Sequence, residues 1–394
     1  MFAVTGVAFA ARAAEANEIS ESAFLARLGE EHPAISVLGG ELADAMGERR
    51  TPRTENPDFS FEREAPDGAP GQSTVKLSWR PPLDTRRGLA NKVAEAGLAA
   101  AERRLEWERL QLREQLRELF ARWSLAVQRR DLFADLTGRT LELAERARAR
   151  AATGEDSGLS ARRLALAAAE SRSAMAGADA QLLRIDAELR TVFPDLESRI
   201  RPVRPSLPPA PSEITASDRP DLKAREVDVE RADLARRLGG RYLEFPALIG
   251  GWTVFDEENA EVDGPVFGVE WTIPLFDRQQ GERVRTSREA NIARARLELM
   301  QAQAVAELSV AFEIYEQLRT AAVEVTETTV GAEAVIEAAT AEFQAGEATL
   351  TDLLETLRSV TDSRLAALEL YREALAAHRR LELCVGRPLT DGGS

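Results

Sequence analysis

LSWRPPLD (residues 77–84) and VEWTIPLFD (residues 269–277) decide the fold, because they read as one stretch written twice. Trp79, Pro82 and Leu83 stand 192 residues before Trp271, Pro274 and Leu275. Working outward, the same offset pairs Phe120 with Phe312, Trp123 with Tyr315, Gly154-Glu155 with Gly346-Glu347, and Ser171-Arg172 with Ser363-Arg364. One or two such matches arise by chance. A constant register across more than 90 residues points to duplication of a half-chain unit. Upstream, His32-Pro33 resembles Arg219-Pro220, with the offset slipping to 187. The division that follows is a first copy over 17–200, a Pro-rich linker over 201–217, a second copy over 218–390 and a short tail, 391–394. The linker's RPVRPSLPPAP (201–211) cannot be helix interior.

The composition narrows the function classes. The 394 residues carry a formal charge of −15, from 51 Lys+Arg against 66 Asp+Glu. That balance argues against nucleic-acid binding, which needs basic surface to release counterions. Cys384 is the one cysteine, and His32 and His378 are the two histidines, none with ligand partners at metal-site spacing. A disulfide framework, a zinc finger and most His-dependent catalysis are excluded. With no Gly-rich phosphate loop and no nucleophile–base constellation, no enzyme activity and no cofactor are expected. No window reaches the roughly 18 consecutive apolar residues of a spanning helix, a test that is blind to β-barrels. Residues 1–16 (MFAVTGVAFAARAAEA) have an apolar stretch and Ala-rich sites suited to a signal peptide but no basic start. A signal peptide and a plain Ala-rich start both stay open.

Each copy predicts the same elements. A helix comes first, over 19–50 and 219–241. Two short strands follow: 58–63 and 74–80 in the first copy, 246–255 and 266–274 in the second, the latter pair split by the acidic turn DEENAEVDG (256–264). In the last strand Phe267, Val269, Trp271 and Ile273 alternate with small or polar residues, Glu270 among them. The pattern fits a half-buried soluble sheet or a barrel with lipid outside and water inside. Two distant hairpins cannot close a barrel within one chain, and open edges are not tolerated in lipid, so a barrel would need strands from several chains. The strands are short against the roughly 9–11 residues of a span.

Long helices come next, over 88–152 and 282–344. The first is Pro-free and on the order of 100 Å long at 1.5 Å per residue. Leu105, Leu112, Leu119, Ala126 and Phe133 recur every seven residues, with Leu116 and Trp123 on a second seam; Val305, Leu308, Phe312, Tyr315, Leu318 and Val325 make a similar stripe. This spacing predicts coiled-coil packing. The Arg/Glu lacing of RRLEWERLQLREQLREL (103–119) reads as a solvated face. Glycine-containing breaks precede return helices over 159–192 and 350–385. The fold class expected is mainly α with short β-hairpins.

These residues resemble the TolC-like outer-membrane efflux protein family. The signals are RPDL (219–222), FPALIGGW (245–252), GVEWTIPLFD (268–277) and FQAGEATLTDLLE (343–355), with weaker first-copy echoes in WRPPLD (79–84) and GEDSGLS (154–160). The resemblance covers about residues 20–390. It implies a homotrimer whose helices form a periplasmic α-barrel and whose strands form a shared transmembrane β-barrel in outer-membrane lipid. Such a protein is the exit duct of a tripartite efflux or secretion system, passing small molecules or metal cations. Its partners are a periplasmic adaptor protein and an inner-membrane pump. The competing readings are a periplasmic adaptor and a structural coiled-coil scaffold. The resemblance assigns adaptor docking to the helix-turn tips at Gly154, Gly158, Leu159 and Ser160, and at Gly346, Thr349, Leu350 and Thr351; plain turns would explain the glycines equally. Glu155, Asp156, Glu347 and Asp352 at those tips read either as entrance acidic rings or as helix-end solvation. Trp79, Trp252, Phe267, Trp271 and Pro274 are the membrane-interface and strand candidates.

Overall fold

The fold is taken from a computed structural model, which describes residues 18–29, 32–50, 56–64, 71–81, 85–154, 158–196, 200–211, 214, 218–241, 245–257, 260–273, 275–276 and 278–389. The signal-peptide reading (1–16), the tail, Glu155, Asp156 and Pro274 lie outside them. The elements in order are β1 (Glu18–Ile19), α1 (Glu21–Leu25), α2 (Pro33–Leu38), α3 (Gly40–Arg50), β2 (Asp58–Glu64), β3 (Gly71–Trp79), α4 (Thr85–Thr153), α5 (Gly158–Val192), β4 (Arg201–Pro202), α6 (Pro220–Gly239), β5 (Ala247–Glu257), β6 (Ala260–Glu270), α7 (Gln280–Thr329), α8 (Ala332–Ala345) and α9 (Leu350–Val385).

The chain divides into two compact units. One comprises Met1–Ser36, Arg109–Ala216 and Ala306–Ser394; the other comprises Val37–Glu108 and Ser217–Val305. Each unit takes corresponding pieces from both copies. The strands and α6 fall in the second unit, the helix-turn tips in the first.

In the first unit, three apolar clusters form the core. Phe24, Phe120, Trp123, Ile185, Leu189 and Phe193 make one, with Phe24 edge-on to Phe193 at 4.9 Å. Leu143 and Ala147 of α4, Leu164 of α5, Ile336 of α8 and Leu353 and Leu357 of α9 make a second, so both copies contribute to it. Leu308, Tyr315, Leu381 and Cys384 anchor a third. The prolines of the 201–211 stretch have no N–H to donate, Val203 N donates to Ile19 O at 2.9 Å, and side chains of the second copy bond two of its carbonyls. The Tyr371 hydroxyl donates to Pro205 O at 2.7 Å, Arg319 Nε donates to Pro208 O at 2.7 Å, and the Tyr315 hydroxyl donates to Pro208 O as well.

In the second unit, β2, β3, β5 and β6 form one antiparallel sheet in that order, so the two hairpins join through β3 and β5. The register pairs Val75 with Trp252 and Lys76 with Gly251. A β-carbon at Gly251 would stand 2.3 Å from Val75 O, so only glycine allows this approach.

Four expectations need correction. The helix over 19–50 is broken into β1, α1, α2 and α3. Ser20 caps α1, Pro33 cannot continue a helix and opens α2, and His32 Nε2 bonds Val192 O at 2.8 Å instead. The acidic turn over 256–264 is mostly strand: β5 and β6 have 11 residues each and end at Glu257 and Glu270, leaving Trp271 just beyond β6. The helix over 282–344 is interrupted at Val330-Gly331, where glycine weakens it. Its packed stripe is Ala304, Leu308, Ala311, Tyr315 and Ala322, while Val305 is 67% exposed, because small alanines let this face approach its neighbours. The fourth concerns the supposed solvated face: Glu114 is 4% exposed and Arg117 is largely buried with it.

Candidate functional site

The helix-turn tips are built by backbone handedness. α4 ends at Gly154 and α8 at Gly346, two positions that the repeat equates, and both have left-handed φ, 80° and 78°. At the second tip, the amides of Glu347 and Ala348 donate to Glu342 O at 2.9 and 3.2 Å, closing the end of α8. Thr349 then starts α9 with a reciprocal cap. Its Oγ accepts from the Asp352 amide, and its own amide donates to Asp352 Oδ2 at 2.9 Å. The hydroxyl and amide of Thr349 hold the Asp352 carboxyl below its ordinary range. Glu347 is exposed, Leu350 packs against the second apolar cluster, and Leu159 is exposed near the start of α5. Gly158 is exposed too, and Ser160 is half-buried.

A groove of about 1050 Å³ is lined by α4, α5 and α9. Its lining repeats itself. Arg163, Ala167, Glu170 and Ser171 come from the first copy, and Glu355, Ser359, Asp362 and Ser363, each 192 residues on, come from the second. Thr351 and Leu354 also line it, so the second tip opens into the groove. Arg358 pairs with Glu170 at 2.9 Å, and Thr140 and Ser171 exchange a buried hydroxyl bond at 2.9 Å.

The sheet has two unlike faces. One carries Phe59, Phe61, Val75, Leu77, Trp79, Leu248, Trp252, Phe267 and Val269, all exposed, with Phe267 at 84%. The other carries Ser60, Glu62, Thr74, Lys76, Gly251 and Thr253, and toward the hairpin end the exposed Phe255 and Val262. There Lys76 pairs with Glu62 at 2.6 Å, and Thr74 and Thr253 share a hydroxyl bond at 3.1 Å. Glu270 falls on this polar side by its register opposite Ala247. Among the described residues no helix is long and apolar enough to cross a membrane, and no group of three or more His, Cys, Asp or Glu could hold a metal ion.

The architecture matches solved outer-membrane channels. CusC, whose crystal structures concern folding and transmembrane channel formation, superposes with a TM-score of 0.75 at 13% identity over 93% of this chain and 92% of that one. The CmeC outer membrane channel of Campylobacter jejuni gives 0.70 at 10% identity, over 90% and 83%. The chain has the outer-membrane channel fold. No protein-family model matches it. In sequence it is 25% identical over 329 residues to the cobalt-zinc-cadmium resistance protein CzcC of Cupriavidus metallidurans, covering 80% of this chain and 77% of that protein.

One feature of this channel-fold chain had no sequence signal. Arg117 sits among the carboxylates of Glu21, Glu114 and Glu382, and Arg379 pairs with Glu118. Burial, reinforced by Glu382 and opposed by Arg117, pushes the Glu114 carboxyl up to about 7. Burial beside Arg117 and Arg379 pushes His378 down to about 4. Charged residues on a long helix look alike in sequence whether they face water or a neighbouring helix.

Proposed function

We propose that the chain is the outer-membrane exit duct of a tripartite efflux system, without enzyme activity of its own. The observation that carries this reading is the four-stranded sheet with one exposed apolar face, one more polar face and two edges, β2 and β6, that no other described strand pairs. Hydrocarbon does not tolerate unpaired edges. We infer that β6 of one chain pairs with β2 of the next and that three chains close the barrel, apolar side to lipid. Exposed Ile292, Leu299, Val310 and Ile314 on α7 support a wall completed by further chains. The helices then continue into the periplasm, and the tips with their groove receive a periplasmic adaptor that links the duct to an inner-membrane pump.

The likeness to CzcC and the acidic balance of the chain support divalent metal cations as cargo. The test is zinc and cobalt retention in a host lacking the gene, complemented by wild type or by Gly346→Arg or Leu350→Asp. Wild type should restore export. Each variant should lower export per heat-modifiable oligomer recovered in the outer-membrane fraction at least about tenfold, the comparison being made per oligomer because Leu350 packs in the second apolar cluster and Gly346 has a left-handed φ. Unchanged export in both variants removes the tips from docking, and release of the wild type by osmotic shock alone overturns the duct reading in favour of an adaptor or scaffold.

A further inference from the structure

We infer that the groove between the last turn of α6 and the first turns of α7 binds the phosphate of an anionic lipid headgroup. The groove has a volume of about 870 Å³, and Arg236, Arg237, Arg283 and Arg288 line it with Ser287 and Asn291. Among the described residues no carboxylate lines it. Of the described carboxylates on these turns, Asp233 is engaged with Arg236 and Arg294, and Glu282 and Glu289 with Arg285. Among the described residues the side chains of Arg237, Arg283 and Arg288 have no ion pair or hydrogen bond. In a chain of charge −15, this is a local reversal of sign. Guanidinium groups match phosphate oxygens with paired donors, and a hydroxyl and an amide complete such a site.

The surroundings select a lipid over a soluble anion. Between the end of β6 and the start of α7, Trp271, Ile273, Leu275 and Phe276 are exposed, Phe276 at 92%. Aromatic and aliphatic side chains leading directly into free arginines are the composition of a surface seated at a headgroup layer. The lipid assignment rests on the outer-membrane reading above.

The test is native mass spectrometry of the purified, detergent-solubilised full chain, titrated with short-chain phosphatidylglycerol, phosphatidylcholine or inorganic phosphate. Wild type should bind phosphatidylglycerol at least about tenfold more tightly than phosphatidylcholine, less so at high salt. The triple variant R237Q/R283Q/R288Q should lose about tenfold or more in that binding, and R237K/R283K/R288K should keep most of it. Equal binding by wild type and the Gln variant overturns the inference. So does inorganic phosphate binding as tightly as the lipid, which assigns the groove to a soluble anion. So does loss of the oligomer in the Gln variant that the Lys variant does not restore, which assigns the arginines to contacts between chains. Fractionation separates the two readings. A wild-type chain absent from the outer membrane overturns the duct, whereas a chain present there with lipid binding unchanged in the Gln variant overturns this inference alone.

Discussion

Substituting Gly251 by Val places a side chain against the Val75 carbonyl, which belongs to the neighbouring strand and cannot move without breaking the ladder. We expect a loss above about 2 kcal/mol, read from denaturant unfolding of the detergent-solubilised protein. Gly268→Ala, whose β-carbon would meet Ile249 at an ordinary 3.6 Å, should cost little. Glu114 and His378 make a second residue-scale prediction. The raised carboxyl binds its proton more tightly folded than unfolded, so its contribution favours folding at low pH and is lost as pH rises from about 4.5 to 7. The depressed imidazole does the reverse, destabilising as pH falls from about 6.5 to 4. The two slopes oppose each other over their shared range. His378→Gln should therefore uncover a decline in stability on raising pH from about 5 to 7, on the order of 2 kcal/mol, in unfolding curves taken across that range. A flat profile in the variant would contradict the raised carboxyl.

At the scale of elements, Thr349→Ala removes one half of the reciprocal cap and should cost about 1 kcal/mol. Faster amide exchange confined to the first turn of α9 would report it. The sequence was most readable where one force acts alone. α9 keeps the expected bounds, Leu350–Val385, because a Thr-x-x-Asp start and a Pro-free apolar stripe leave no competitor. The tip glycines were readable for the same reason: a long helix that must stop needs a residue tolerating left-handed φ. Reading failed where tertiary contacts override local preference. Phe24 in the short α1 packs against Phe120 and Phe193 while the expected first helix breaks after it, and Asp256 and Glu257 pair with Glu261 and Ala260 as strand because β5 and β6 extend alongside each other. The groove beside the second tip was invisible, since the repeat says which residues correspond but not which faces meet. The Arg117 cluster was likewise hidden within an apparently solvated helix face.

At the scale of the whole molecule, the two-faced sheet sets the strongest constraint. Phe267→Arg puts a charge on the apolar face and should reduce the protein recovered in outer membranes, at a cost of about 2–4 kcal/mol if that position lies near mid-membrane. Thr253→Val, on the opposite face, leaves that apolar surface unchanged and should insert normally while losing its bond to Thr74. Reversed sensitivity would place water and lipid on the wrong sides.

The groove lined by both copies has one more implication. Three of its four matched pairs keep the same size or charge: Ala167 with Ser359, Glu170 with Asp362, Ser171 with Ser363. Both α5 and α9 start in the second apolar cluster, so the matched residues form two nearly equivalent flanks lying side by side. Arg163 against Glu355 is the mismatch, so a single charge inversion is what tells one flank of the groove from the other.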